Sequence, residues 1–171
     1  MSHEPTNRGA LYDAKRPRSI LAGPYGHPFH AMLITIPIGA WTASVAFDIL
    51  ALLTRDSGFS FGAVWLVAIG TLGGIAAATV GFLDYSQIAR ATRARMIANI
   101  HMIFNLSAIT LFGVSYFLRI GEGTREFSTA GFVLSIIGIL GVAVSGFLGG
   151  ELAYRFGVRV ADEETQRTHF A

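Results

Sequence analysis

The feature that most constrains this chain is where its charges are missing. Residues 31–53 carry one charged side chain, Asp48, and residues 61–83, 97–118 and 130–150 carry none. These stretches hold 23, 23, 22 and 21 residues. About 20 apolar residues, at ~1.5 Å rise each, cross a ~30 Å hydrocarbon core. Only helices and closed barrels survive there, and the runs do not alternate as barrel strands do. A helical bundle in water would need charged outer faces, which these segments lack. The pattern predicts an all-α integral membrane four-helix bundle.

Composition agrees. Charged residues are 14% of the 171, and the mean hydropathy is +0.52. A soluble domain carries about 25% charged residues, so a soluble enzyme has too little polar surface here. The absence of Cys excludes disulfides, thiol catalysis, zinc fingers and cysteine-ligated clusters. Phosphate loops and nucleophile elbows are missing too, so the chain does not read as a stand-alone enzyme. Four helices enclose little pathway, which disfavours transport.

The domain organisation follows from the same charges. Residues 1–25 are polar and basic and are expected to be flexible. Residues 26–160 form the four-span domain, and residues 161–171 a polar tail, loose or partly helical. The apolar run begins too late and is too long for a cleavable signal, so the first span is an uncleaved anchor. Ten of the thirteen basic residues flank one side of the spans: Arg8, Lys15, Arg16, Arg18, Arg90, Arg93, Arg95, Arg155, Arg159 and Arg167. Arg55, Arg119 and Arg125 flank the other. The positive-inside rule then places both termini in the cytoplasm. This asymmetry accounts for the net charge of +2 with the lipid bilayer as partner and no nucleic acid.

Ionisable groups near a membrane core need a reason to be there. His27, His30, Asp84, His101 and Glu151 all fall toward the cytoplasmic side. Asp48 lies toward the other side, where a hydrated helix end is the expected role. His30, Ile34, Pro37, Trp41, Ser44 and Asp48 share one helical face, and so do His101, Asn105, Ala108, Phe112 and Ser115. Gly70, Gly73, Ala77, Gly81 and Asp84 make a small-residue stripe, as do Gly138, Gly141, Ser145 and Gly149. Such stripes let membrane helices approach closely; the same space can admit a flat cofactor. Pro28 suits a first helical turn. Pro37 removes the partner of the Leu33 carbonyl and should bend the first span. Trp41 lies mid-span and is expected against lipid or a neighbouring helix in preference to the inside of the bundle against a cofactor.

Each half begins with a histidine and ends in Gly-Phe-Leu: His30 with Gly81-Phe82-Leu83, His101 with Gly146-Phe147-Leu148. This is the echo of a duplicated two-helix hairpin, with halves related by an axis along the membrane normal. The two histidines would then face one another at similar depth.

Gly26-His27-Pro28-Phe29-His30, Pro37-Ile38-Gly39-Ala40-Trp41 and Phe47-Asp48 resemble the opening of a family of small bacterial membrane proteins, domain-of-unknown-function family 2231. The likeness continues through Gly81-Phe82-Leu83-Asp84, His101 with Asn105, and Gly149-Gly150 with Tyr154. The resemblance implies a four-helix membrane fold in a bacterial cytoplasmic (inner) membrane. Members joined to Rieske-type iron–sulfur domains imply a redox context; this chain, without Cys, carries no such domain. No established activity is implied.

Three functions suit these residues. The first is a b-type haem with His30 and His101 as axial ligands, in electron transfer with a redox partner. His27 is the substitute ligand, Asn105 the group on a ligand's other ring nitrogen, and Arg93 or Arg95 the propionate partner. The second is a metal or proton-relay site in which His30 and His101 gather with His27, Asp84 and Glu151. The third is a structural or assembly subunit of a membrane complex, without cofactor.

Overall fold

The computed structural model describes residues 4–23 and 26–169. Residues 1–3, 24, 25, 170 and 171, which the expectations for the two chain ends include, lie outside them. Every regular element is helical among the described residues. Within the segment expected to be flexible, Glu4–Lys15 forms α1, and Ile20–Ala22 forms a 3₁₀ turn. The first span is α2 (Phe29–Leu33) followed by α3 (Thr35–Thr54). The others are α4 (Ser57–Ser86), α5 (Arg93–Glu122) and α6 (Thr129–Gly150), the last extended by a π-helical turn, Glu151–Arg155. A short α7 (Glu163–His169) ends the chain. All four spans are long and apolar enough to cross a membrane.

Local chemistry sets the boundaries. Asp56, Thr92 and Ser128 are the N-caps of α4, α5 and α6; their side chains accept from the amides of Gly58, Arg95 and Gly131, satisfying donors that a helix start leaves orphaned. Arg55 closes α3 in a left-handed conformation, φ 60°, donating to the Ala51 carbonyl. Only Arg55 and Asp56 then separate α3 from α4, so the two run antiparallel. The regular helix is interrupted at Ile34, between α2 and α3. That is three residues before Pro37, which has no N–H for the Leu33 carbonyl.

The spans obey a two-fold relation. His30, Pro37, Trp41, Ser44 and Asp48 of the first span correspond to His101, Ala108, Phe112, Ser115 and Arg119 of the third, each 71 residues on. Three corresponding pairs meet across the centre. The rings of His30 and His101 have centroids 6.4 Å apart. Trp41 and Phe112 stack at 4.3 Å with planes 4° apart. Arg119 donates to both Asp48 carboxylate oxygens at 2.7 Å. Only groups on or near a two-fold axis can meet their own counterparts. On the outer helices Gly70, Ala77 and Gly81 correspond to Gly138, Ser145 and Gly149, 68 residues on. Hence the Gly-Phe-Leu tripeptides are not equivalent: Gly81 matches Gly149, not Gly146.

The expectation for Asp48 is corrected here. It is fully buried rather than a hydrated helix end, and Arg119 is 2% exposed rather than a flanking charge. Arg119 also donates to the hydroxyls of Ser115 and Ser135. Buried charges persist where paired and hydrogen-bonded in this way. Of the two settings expected for Trp41, lipid or a neighbouring helix, the second holds: it is 3% exposed and stacks on Phe112 of the third span. The outward faces carry Leu72, Ile103, Leu140 and Phe147, all exposed, as a lipid-facing surface requires.

Candidate functional site

A cavity of about 440 Å³ lies between the spans, toward the end that carries both termini. Ligand sites commonly enclose about 300–1,000 Å³. All four spans line it. His30, Ile34, Pro37, Ile38 and Trp41 come from the first, and Gly74, Ala77, Gly81, Phe82 and Tyr85 from the second. The third supplies His101, Met102, Asn105, Leu106 and Ile109, and the fourth Val142, Ser145 and Gly146. Exposed lining residues occur on both flanks: Phe82 and Leu106 between the second and third spans, Ile38 and Gly146 between the first and fourth. The cavity is therefore a slot across the bundle. Below it, the stacked Trp41 and Phe112 rings close the centre.

The two histidines stand on opposite sides of this slot and are held by the same device. Nδ1 of His30 donates to the Ala77 carbonyl at 2.8 Å, and Nδ1 of His101 to the Ser145 carbonyl at 2.8 Å. A carbonyl only accepts, so Nδ1 carries the proton in both rings and Nε2 keeps its lone pair. Four residues beyond each carbonyl stands a glycine. A Cβ at Gly81 would come within 2.8 Å of the His30 ring, and one at Gly149 within 3.2 Å of the His101 ring. These glycines let each imidazole lie against the neighbouring helix. Gly81→Ala is therefore expected to displace His30 from the Ala77 carbonyl, and Gly149→Ala to disturb His101 less; the imidazole nitrogen shifts in an NMR spectrum would report both.

The site's match to known proteins spans the region just described. Residues 26–162 match the family described as predicted membrane protein, domain of unknown function 2231. The chain belongs to this family. No curated protein and no solved structure matches it. The matched range takes in both histidines, the slot and the Asp48–Arg119 pair, so the whole two-fold arrangement belongs to the family domain.

Asn105 lines the slot but does not hold a ligand's outer nitrogen: its amide donates to Nε2 of His101 at 2.9 Å and to the His101 carbonyl at 3.0 Å. Arg95 stands behind the slot wall. Its guanidinium donates to the carbonyls of Tyr85 and Ile88 and covers the Tyr85 ring at 3.5 Å, which caps the end of α4. Arg93 is exposed. Asp84 pairs with Arg159 at 3.0 Å, and Glu151 with Arg155 at 3.2 Å. His27 offers its backbone carbonyl to Arg159. Among the described residues no three of His, Asp and Glu gather as a metal-binding group. The multi-ligand arrangement expected of His27, Asp84 and Glu151 with the two histidines is not formed.

Two arginines were not legible as structural groups. Arg119 is one helical step of four beyond Ser115 on the third-span stripe, and that spacing is its signal. Arg159 sits in a left-handed turn, φ 59°, and its side chain reaches Asp84 and the carbonyls of Ala22 and His27. A contact across 137 residues leaves no local trace in a sequence.

Proposed function

We propose that the protein is a b-type haem-binding electron-transfer protein of the bacterial inner membrane, with His30 and His101 as axial ligands. The single observation that carries this is the histidine pair itself: ring centres 6.4 Å apart across a slot, each with Nδ1 engaged and Nε2 the lone-pair atom. Two imidazoles that bind one metal ion from opposite sides through bonds of about 2.0–2.1 Å have ring centres a little over 6 Å apart. The two imidazoles and the mainly apolar lining of the slot support this reading, with His101 Nε2 leaving the Asn105 amide to bind.

Haem supplies one-electron chemistry when bound. The chain's own residues do the rest. The carbonyls of Ala77 and Ser145 fix the tautomer and orientation of the rings and raise their basicity. Ile34, Trp41, Ile109 and Val142 keep water from the slot. With Arg119 and Arg159 both committed to buried partners, the basic residues free to orient the spans stand nine against two, which favours cytoplasmic termini.

The test is an absorbance spectrum of the full chain, expressed with haem supplied and purified without a histidine tag. A Soret band is expected that His30→Ala and His101→Ala each remove or displace, with His27→Ala leaving it unchanged. A colourless wild-type protein, or a band indifferent to His30 and His101, overturns the proposal and leaves the assembly-subunit reading in its place.

A further inference from the structure

The two histidines correspond in sequence but not in surroundings. Nε2 of His30 has no hydrogen-bonding partner among the described residues, and its ring faces the slot. Nε2 of His101 is held by the Asn105 amide at 2.9 Å. Asn105 stands four residues after His101; four residues after His30 stands Ile34, which has no donor. The two-fold relation leaves two chemical differences at the rings: Ser145, whose hydroxyl lies 3.0 Å from Nδ1 of His101 where Ala77 offers none, and Asn105, which alone falls on the atoms that would bind iron.

We infer that Asn105 makes His101 the exchangeable ligand and leaves His30 the fixed one, so that the His101 side of the slot admits a small neutral ligand. This rests on the haem reading above. The Asn105 amide and a metal ion compete for one lone pair. With the Asn105 amide on it, as in the structure, His101 Nε2 is satisfied in an apolar setting where an unpaired acceptor is costly. The same amide hydrogen-bonds the His101 carbonyl at 3.0 Å, so it is anchored to the backbone that carries the ring. His30 has no such alternative, since Ile34 offers no donor; the carbonyl and the glycine beside each ring are common to both histidines and do not distinguish them. One neutral hydrogen bond shifts such an equilibrium by about three- to tenfold.

Carbon monoxide is the probe, since it coordinates reduced haem iron through carbon with no net oxidation or reduction, and His101 Nε2 passes to the Asn105 N–H. The wild-type protein is expected to show a mixture of ligation states and to bind carbon monoxide. Asn105→Ile, which copies the residue at the corresponding position, is expected to shift the spectrum toward two-histidine ligation and to weaken carbon monoxide binding about three- to tenfold. His101→Ala is expected to bind it at least as well as wild type. Asn105→Leu serves as the second variant should isoleucine disturb the fold, and Ile34→Asn is expected to loosen His30 in the same way. A Soret band that depends on both histidines, together with Asn105 variants that match wild type in spectrum and carbon monoxide affinity, overturns this inference alone. A protein with no histidine-dependent band overturns the haem reading and this inference with it.

Discussion

Asp48→Asn is expected to cost about 3–5 kcal/mol of stability. The substitution keeps the shape of the side chain and removes its charge, which leaves the Arg119 guanidinium buried without a counter-ion. Arg119 is 2% exposed, so neither water nor a lipid headgroup reaches it at low cost. Arg119→Met should cost less than Arg119→Ala, because it fills more of the space. The sharper experiment exchanges the charges. Because the two positions correspond, Arg at 48 would find Ser44 four residues back as Arg119 finds Ser115. What it would lack is Ser135, whose counterpart is Val67. The Asp48→Arg, Arg119→Asp double variant should therefore recover much of the loss, but not all. Thermal unfolding in detergent measures each term, and a double variant as unstable as the sum of the single ones would refute the two-fold argument.

The second large effect concerns the glycines under the central ring stack. A Cβ at Gly70 would lie 2.5 Å from the Trp41 ring, and one at Gly138 2.6 Å from the Phe112 ring. No substituted helix can hold those contacts, so Gly70→Ala and Gly138→Ala must part the rings or the helices. A cost of about 1–3 kcal/mol each is expected, with part of the stacking term of about 0.5–1.5 kcal/mol lost as well. Gly113 is the control. A Cβ there meets nothing within 4 Å, and alanine is the better helix former by roughly 1 kcal/mol. Gly113→Ala should be neutral or stabilising. In a Trp65→Phe background only Trp41 fluoresces, so its emission reports the stack directly. Unchanged emission and unfolding in Gly70→Ala would show that the rings do not depend on that close approach.

The sequence carried more of the site than of the scaffold around it. His30, Trp41 and Asp48 lay on one readable stripe and His101, Asn105 and Phe112 on another, because helical spacing is a local property. That the stripes face each other was legible through the echo between the halves. The register of the echo was not. A repeated Gly-Phe-Leu suggested Gly146 as the partner of Gly81, whereas the contact with a histidine ring selects Gly149. Tripeptides recur by chance; the requirement for a missing side chain beside an imidazole does not. Asp48 looked like a helix end because charge near a membrane boundary is usually hydrated. Its partner lies on another helix, where no local pattern points to it.

Trp41 shows the same limit from the apolar side. Hydropathy counts a tryptophan mid-span as equally content against lipid or protein. Only the absence of side chains at Gly70 and Gly74, on a different helix, makes room for it inside. Asn105 was legible as a partner of a histidine, but the nitrogen it would hold was not. That choice depends on the Ser145 carbonyl, which takes the other nitrogen first.

The pairing of Asp48 with Arg119 also has a history in time. The two are 71 residues apart, and synthesis at about 5–20 residues per second separates their emergence by roughly 4–14 s. For that interval the first hairpin carries an acid near its far end without the Arg119 that pairs with it in the finished fold. When the third span arrives, capture of its arginine removes two uncompensated groups from lipid in one event. The ion pair is thus a latch that newborn halves close on each other, and a ribosome that stalls between them leaves the latch open.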